Sequence, residues 1–82
     1  MNFSKFENFK ANWENNILPN KPHHIRCGQS LMNHLADVWY KEYDRLSSIN
    51  YYSETNIDCF YNDALIPNTL KHLEKNWVNY PQ

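Results

Sequence analysis

Glycine is nearly absent from this sequence of 82 residues, where Gly28 is the only one. Tight β-hairpin turns depend on glycine, so this scarcity argues against a sheet of short hairpins. The sequence also lacks any run approaching the ~20 apolar residues that cross a bilayer. Its N-terminal residues alternate polar with aromatic side chains and do not form the apolar core of a signal peptide. We therefore expect a cytoplasmic protein without a membrane segment.

Neither sign of charge dominates, because eight basic and nine acidic residues are spread along the chain and the net charge is −1. This balance argues against nonspecific nucleic-acid binding and against acidic mimicry of DNA. A chain this short buries only about 60% of the surface that its unfolded form exposes, which leaves little room for a deep catalytic cavity. We expect one helical domain, residues 1–82, that is not an enzyme.

Cysteine is also scarce, and we expect Cys27 and Cys59 to be free thiols that pack as small hydrophobic side chains. Two alternatives stay open. A zinc site would start from His24 and Cys27, three residues apart on one helical turn. Its other ligands, Cys59 and His72, would come from distant segments, and no CxxC motif supports the site. A nucleophilic cysteine would need His34 or His72 as its base. We expect no cofactor and no metal.

Aromatic residues, by contrast, are abundant at 16% of the chain, and most of them recur at helical spacing. The first segment repeats them every three or four residues, which predicts a helix with one buried stripe. Pro19 and Pro22 then predict a connection in an extended or turn conformation. The stripe consists of Phe3, Phe6, Phe9, Trp13 and Ile17.

The apolar pattern of residues 24–47 predicts a long second helix. Glu42 is the one charged residue on its apolar side, so we expect a kink or a break between Asp37 and Glu42. Gly28 lies on the packed side, where a close helix crossing would offset its cost of about 1 kcal/mol in a helix.

The C-terminal half predicts a loop followed by one more helix. Residues 47–63 have no helical period and predict an ordered loop. Pro67 is suited to the first turn of the last helix, whose apolar stripe includes Leu70, Leu73 and Trp77. The predicted fold class is therefore all-α, a compact bundle of three to four helices with one ordered loop.

The polar side of the long helix carries three residues that either build a local network or read DNA bases, namely Arg26, Gln29 and Asn33. We favour hydrogen bonds to the loop, for instance from Arg26 to Asp58 or Asp63. The alternative is a small nucleic-acid-associated regulator that reads bases with these side chains. Acidic residues on the same face would repel phosphate, so nucleic acid is the less favoured partner.

Four tyrosines fall outside the helical stripes, namely Tyr40, Tyr51, Tyr52 and Tyr61. Exposed tyrosines are enriched at protein interfaces because they bring a large contact area at small entropic cost. Tyr51 and Tyr52 either take part in such an interface or cover the small core from the loop. We predict that the four tyrosines form a partner-binding surface, and the sequence leaves the oligomeric state open.

Two runs of residues give the chain a resemblance to a known group of proteins. Residues 26–35 resemble the pattern R-x-G-Q-x-L-M-N-x-L of small phage and prophage proteins. Residues 58–63 and 66–77 resemble the D-x-F-Y-x-D and I-P-x-x-L-x-x-L-x-x-x-W segments at the end of the same proteins. The resemblance covers about two thirds of the chain, residues 23–77.

The resemblance implies a phage-encoded accessory protein and no particular reaction. Small phage proteins commonly bind a host protein, and some of them inhibit bacterial defence systems, as anti-CRISPR proteins do. By this analogy we expect stoichiometric binding to a host or phage protein in the cytoplasm of the host cell. The chain departs from the pattern at Trp39 and Tyr40, where Asp-Pro or Asn-Pro is expected to break the helix.

Overall fold

The chain folds into helices joined by turns, as its apolar periodicity predicts. The computed structural model describes the backbone of residues 3–53 and 57–81, and the side chains of residues 3–48 and 57–81. Within these ranges there is no strand, which confirms the all-α fold class. The Cα atoms have a radius of gyration of 11.9 Å. The four α-helices are α1 (Phe6–Asn12), α2 (Cys27–Val38), α3 (Tyr40–Ser53) and α4 (Ile66–Asn76).

Three short helical turns extend or precede these helices. A π-helical turn, Trp13–Ile17, continues α1 and is closed by the Leu18 amide, which donates to the Trp13 carbonyl at 2.8 Å. The 3-10 turns Asp63–Leu65 and Trp77–Asn79 lie at the two ends of α4. The residue before the first of these, Asn62, accepts a hydrogen bond from the Ala64 amide.

Aromatic rings from both ends of the chain and from its middle form the centre of the core. The ring of Trp39 lies 5.3 Å from that of Trp77 and 5.4 Å from that of Tyr80, both nearly perpendicular to it. Phe9 of α1 lies 4.8 Å from Trp77. The carbonyl of Phe3 accepts a hydrogen bond from the Trp77 indole at 2.8 Å. These contacts agree with the predicted stripes, because Phe9, Trp39, Trp77 and Tyr80 are buried and Phe3 packs against them partly buried.

The break in the long helical segment falls at Trp39, within the predicted interval. Its backbone leaves the helical region, with φ −150° and ψ 75°, and its ring turns into the core. The helix also begins later than predicted, at Cys27 instead of residue 24. Arg26 before it is extended, and the Arg26 amide donates to the side chain of Gln29 at 3.5 Å.

The loop predicted for residues 47–63 is shorter than expected, since α3 continues to Ser53. No glycine or proline interrupts residues 40–53, and a composition rich in Ser, Asn and Tyr does not by itself end a helix. The part that is a turn, residues 57–63, packs against the core through Cys59, which is fully buried.

Glu42 is buried, with only 4% of its surface exposed, and its carboxylate is fully paired. Arg45 donates two hydrogen bonds to it, at 2.8 and 2.6 Å, and the Asn76 amide donates one at 3.0 Å. Burial by itself would raise the pKa of Glu42, but these hydrogen bonds outweigh it and hold the pKa below its ordinary value. The cluster ties the start of α3 to the end of α4.

We expect the free energy of unfolding to fall as the pH drops below about 5, because unfolded Glu42 binds a proton more tightly than folded Glu42 does. Burial lowers the pKa values of His34 and His72 below the ordinary 6.5, so these residues bind a proton less tightly when folded. They therefore reduce the free energy of unfolding already as the pH falls below about 6.5. Glu42→Gln should remove the lower part of this pH dependence, as measured by urea unfolding from about pH 7 to pH 3.

At pH 7 the Glu42→Gln change should cost about 1–3 kcal/mol, less than the ~3–5 kcal/mol of a fully buried pair, because Arg45 is 43% exposed. Glu74→Gln, an exposed carboxylate on the same helix as Asn76, is the control and should change neither quantity. An acid limb that is unchanged in Glu42→Gln would contradict the assignment.

Candidate partner-binding site

The N-terminal end of α2 and the turn of residues 57–63 meet in a close backbone contact at Gly28. A Cβ atom on Gly28 would overlap the carbonyl oxygen of Cys59. The Gly28 amide donates to the Asp63 carboxylate at 2.8 Å, and the Cys59 thiol donates to the Gly28 carbonyl at 3.4 Å. Gly28 therefore allows the turn of residues 57–63 to approach the backbone of α2 closely. The prediction that Gly28 allows a close crossing of two helices is wrong.

Short-range hydrogen bonds hold this turn in one conformation. The Asp58 carboxylate accepts from the Phe60 amide at 2.9 Å, which closes a tight Asx turn. The backbone amide of Asn62 donates to the backbone carbonyl of Cys59 at 3.2 Å. The hydroxyl of Thr69 in α4 donates to the Ile57 carbonyl at 2.7 Å. The turn is thus anchored to α2 on one side and to α4 on the other.

At the tip of the turn, Tyr61 is 80% exposed although its ring has two neighbours. The ring of Phe60 lies 4.7 Å from it, and the guanidinium carbon of Arg26 lies 5.6 Å from its centroid, within cation–π range. The Nε atom of Arg26 also donates to the Phe60 carbonyl at 3.4 Å. We call these three residues, Arg26, Phe60 and Tyr61, the Tyr61 platform.

The predicted polar network is present in part and closes through backbone groups. Arg26 reaches the Phe60 carbonyl, Asp63 accepts from the Gly28 amide, and Asp58 accepts within its own turn. Gln29 accepts from the Arg26 amide at the start of α2. Sequence reasoning paired side chains with side chains, whereas backbone amides at a helix start and in a tight turn are the unsatisfied donors.

The predicted tyrosine surface is divided by the length of α2. Tyr61 contacts Arg26, which precedes this helix, while Tyr40 follows it and is 64% exposed. The 12 residues of α2 place about 18 Å between the two ends. Tyr51 and Tyr52 are in α3, and their side chains lie outside the described residues. Of Tyr40 and Tyr61, the two whose side chains the structure describes, Tyr61 is the more exposed, at 80%.

The side of α2 away from Gly28 borders a cleft of about 310 Å³, which we call the amide cleft. Asn33 opens into it, whereas Arg26 and Gln29 do not line it. His34 lies at its base, buried, with its ring stacked at 4.6 Å on Phe9. Burial lowers the pKa of His34 below its ordinary value. The facing wall is the π-helical turn with the connection after it, and its members are Asn16, Ile17, Asn20, Lys21, Pro22 and Ile25.

Sequence reasoning missed this cleft, although one signal was present. Asn12, Asn16 and Asn20 recur every four residues, which aligns their side chains on one face. The side-chain amide of Asn16 donates to the side-chain oxygen of Asn12 at 2.7 Å. The side-chain amide of Asn20 donates to the backbone carbonyl of Asn16 at 2.8 Å. The three asparagines therefore form a hydrogen-bonded row, of which Asn16 and Asn20 line the cleft.

The two cysteines are free thiols, as expected. Burial raises the pKa of Cys59 to about 11, so its thiolate is scarce at neutral pH. Among residues 3–48 and 57–81, no group of three or more His, Cys, Asp and Glu side chains is placed to hold a metal ion. No helix in the described part of the chain is long and apolar enough to cross a membrane.

Comparison with known proteins identifies no relative for this chain. No protein-family model, no curated protein and no solved structure matches it.

Gly28→Ala tests the close contact, since helix propensity predicts a higher free energy of unfolding and packing predicts a lower one. Propensity alone would stabilise the protein by about 1 kcal/mol. We expect a loss of about 2–3 kcal/mol instead, because the new methyl group displaces the Cys59 carbonyl. Urea unfolding measures the difference, with Asn33→Ala on the exposed side of α2 as a nearly neutral control. A more stable Gly28→Ala protein would contradict the contact.

Proposed function

We propose that this chain acts by stoichiometric binding to a protein partner through the Tyr61 platform. The observation that carries the proposal is an aromatic side chain, 80% exposed, on a turn that hydrogen bonds anchor to two helices. Tyr and Arg are the residue types that dominate binding energy at protein interfaces. Because Phe60 and Arg26 already contact the ring, little conformational entropy is lost on binding.

The competing role, a nucleic-acid-associated regulator, has less support from the contacts. It requires Arg26, Gln29 and Asn33 to reach bases together. Arg26 is engaged with Phe60 and Tyr61, and Gln29 accepts the amide that precedes α2. Asn33 borders the amide cleft beside Asp37, whose charge opposes phosphate.

The class of partner follows from the resemblance of residues 23–77 to small phage and prophage proteins. On that basis the chain is a phage-encoded accessory protein, and its partner is a host or phage protein. Inhibition of a host defence system, as by an anti-CRISPR protein, is the specific form of this proposal. Such inhibition requires a surface that covers the active site or binding site of the partner. The Tyr61 platform consists of aromatic side chains and an arginine, the residue types that are enriched in protein interfaces.

Affinity capture from the lysate of the source cell, followed by titration calorimetry with the captured protein, tests the proposal. We expect one chain bound per partner site. Tyr61→Ala should weaken binding about 30-fold, as loss of a central aromatic residue costs about 2 kcal/mol. Tyr61→Phe should retain most of the affinity because it keeps the ring and its two contacts.

Val78→Ala is the control, since Val78 is 87% exposed and lies after α4, away from the turn. A captured partner that binds Tyr61→Ala as tightly as the wild type would refute the platform. Retention on DNA that weakens steeply with salt, without a protein partner, would favour the nucleic-acid role.

A further inference from the structure

The amide cleft contains none of the three residues of the Tyr61 platform, although Ile25 of its lining precedes Arg26 in the chain. Asp37 at its rim is nine residues beyond Gly28, which is about half a turn around α2 at ~100° per residue. Gly28 faces the turn that carries Tyr61. The cleft volume of about 310 Å³ falls at the lower end of ligand pockets, which span roughly 300–1,000 Å³. The cleft is thus a concave surface large enough for a ligand, in contrast to the exposed turn that carries Tyr61.

One wall of the cleft is a π-helical turn, a conformation that is rare in proteins and recurs at functional sites. The turn is fastened to α2 because the indole of Trp13 donates to the Ser30 hydroxyl at 3.0 Å. The Ser30 hydroxyl in turn donates to the Cys27 carbonyl at 2.6 Å. This buried link sets the distance between the two walls, with Ile17 on one side and Ser30 at the base.

Carboxamide side chains face the cleft from both walls. Asn16 and Asn20 are held on the first wall by the asparagine hydrogen bonds described above. Asn33 stands on the opposite wall and, within the described part of the chain, its side chain makes no hydrogen bond. A carboxamide offers a donor and an acceptor in one plane, which matches the donor and acceptor of a peptide group.

The charges around the cleft cancel. Lys21 stands on one wall and Asp37 on the other, and the His34 ring between them is buried. Asp37 would repel a phosphate and Lys21 would repel a metal ion, whereas neither residue repels a neutral polar group. Ile17 and Ile25 add apolar surface beside the amides. The ligand that matches this lining is neutral, has both donors and acceptors, and carries apolar side groups.

We propose that the amide cleft binds a short extended segment of polypeptide. The peptide groups of the segment hydrogen-bond to the carboxamides of Asn16, Asn20 and Asn33, and its side chains contact Ile17 and Ile25. The recognition is by backbone, so it tolerates a range of sequences, with preference set by the apolar part. This binding is separate from the Tyr61 platform and does not depend on it.

The probe is an array of acetyl- and amide-capped pentapeptides, screened with the labelled full chain, and the best peptide is then titrated in solution. Asn33→Ala should weaken it about five-fold, since one hydrogen bond of about 1 kcal/mol is lost. Asn15→Ala is the matched control, an exposed asparagine of the same π-helical turn that does not line the cleft. N-methylation of the peptide backbone should abolish binding. In ¹⁵N NMR spectra, the side-chain amide signals of Asn16, Asn20 and Asn33 should shift.

Tyr61→Ala should bind the peptide as the wild type does, which keeps this test distinct from that of the proposed function. Several outcomes would each overturn the cleft proposal. These are no capped peptide bound, equal binding after backbone N-methylation, equal binding by Asn33→Ala, and NMR shifts confined to the Tyr61 platform. Binding of free amino acids without any capped peptide would also overturn it, in favour of a small-molecule site.

Discussion

The backbone contact between Gly28 and Cys59 is the constraint on which the rest of this structure depends. It brings the turn of residues 57–63 against the start of α2 so closely that no side chain fits between them. The same contact buries Cys59 and directs Asp63 to the Gly28 amide. Because the following helix α4 continues from this turn, its position over the aromatic core is set there as well. The same contact places Tyr61 at the exposed tip of the turn.

Buried polar groups set the geometry elsewhere. Glu42 is held by Arg45 and Asn76, which fixes the direction of α3 after the break at Trp39. The Trp13 to Ser30 hydrogen bond plays the corresponding part between the π-helical turn and α2. Groups of this kind must find partners when they are removed from water, so each one permits few arrangements of its neighbours. The aromatic core supplies the burial, and these polar contacts select how the helices are oriented.

The fold class and most helical stripes were predictable because burial of one helix face imposes its spacing directly on the sequence. The break before Glu42 was predictable for the same reason, since a charge on an apolar face demands a local change. The extension of α3 to Ser53 was not predictable from composition, because Ser, Asn and Tyr disfavour a helix only weakly and no glycine or proline ends it there. For the candidate site, the sequence pointed to Arg26, Asp58, Asp63 and Tyr61. The structure shows hydrogen bonds between the first three and backbone groups. The amide cleft was missed, although the four-residue spacing of Asn12, Asn16 and Asn20 was its trace.

The sequence by itself determined that the protein is helical, which residues form its core, and that one glycine and one buried carboxylate are exceptional. These are local properties, carried by the spacing of apolar residues and by the chemistry of single side chains. Only the tertiary structure decided that Gly28 faces a turn, that Tyr40 and Tyr61 lie at opposite ends of α2, and that three asparagines line one cleft. Such relations join residues far apart in the chain, and the distances between them depend on how the helices pack.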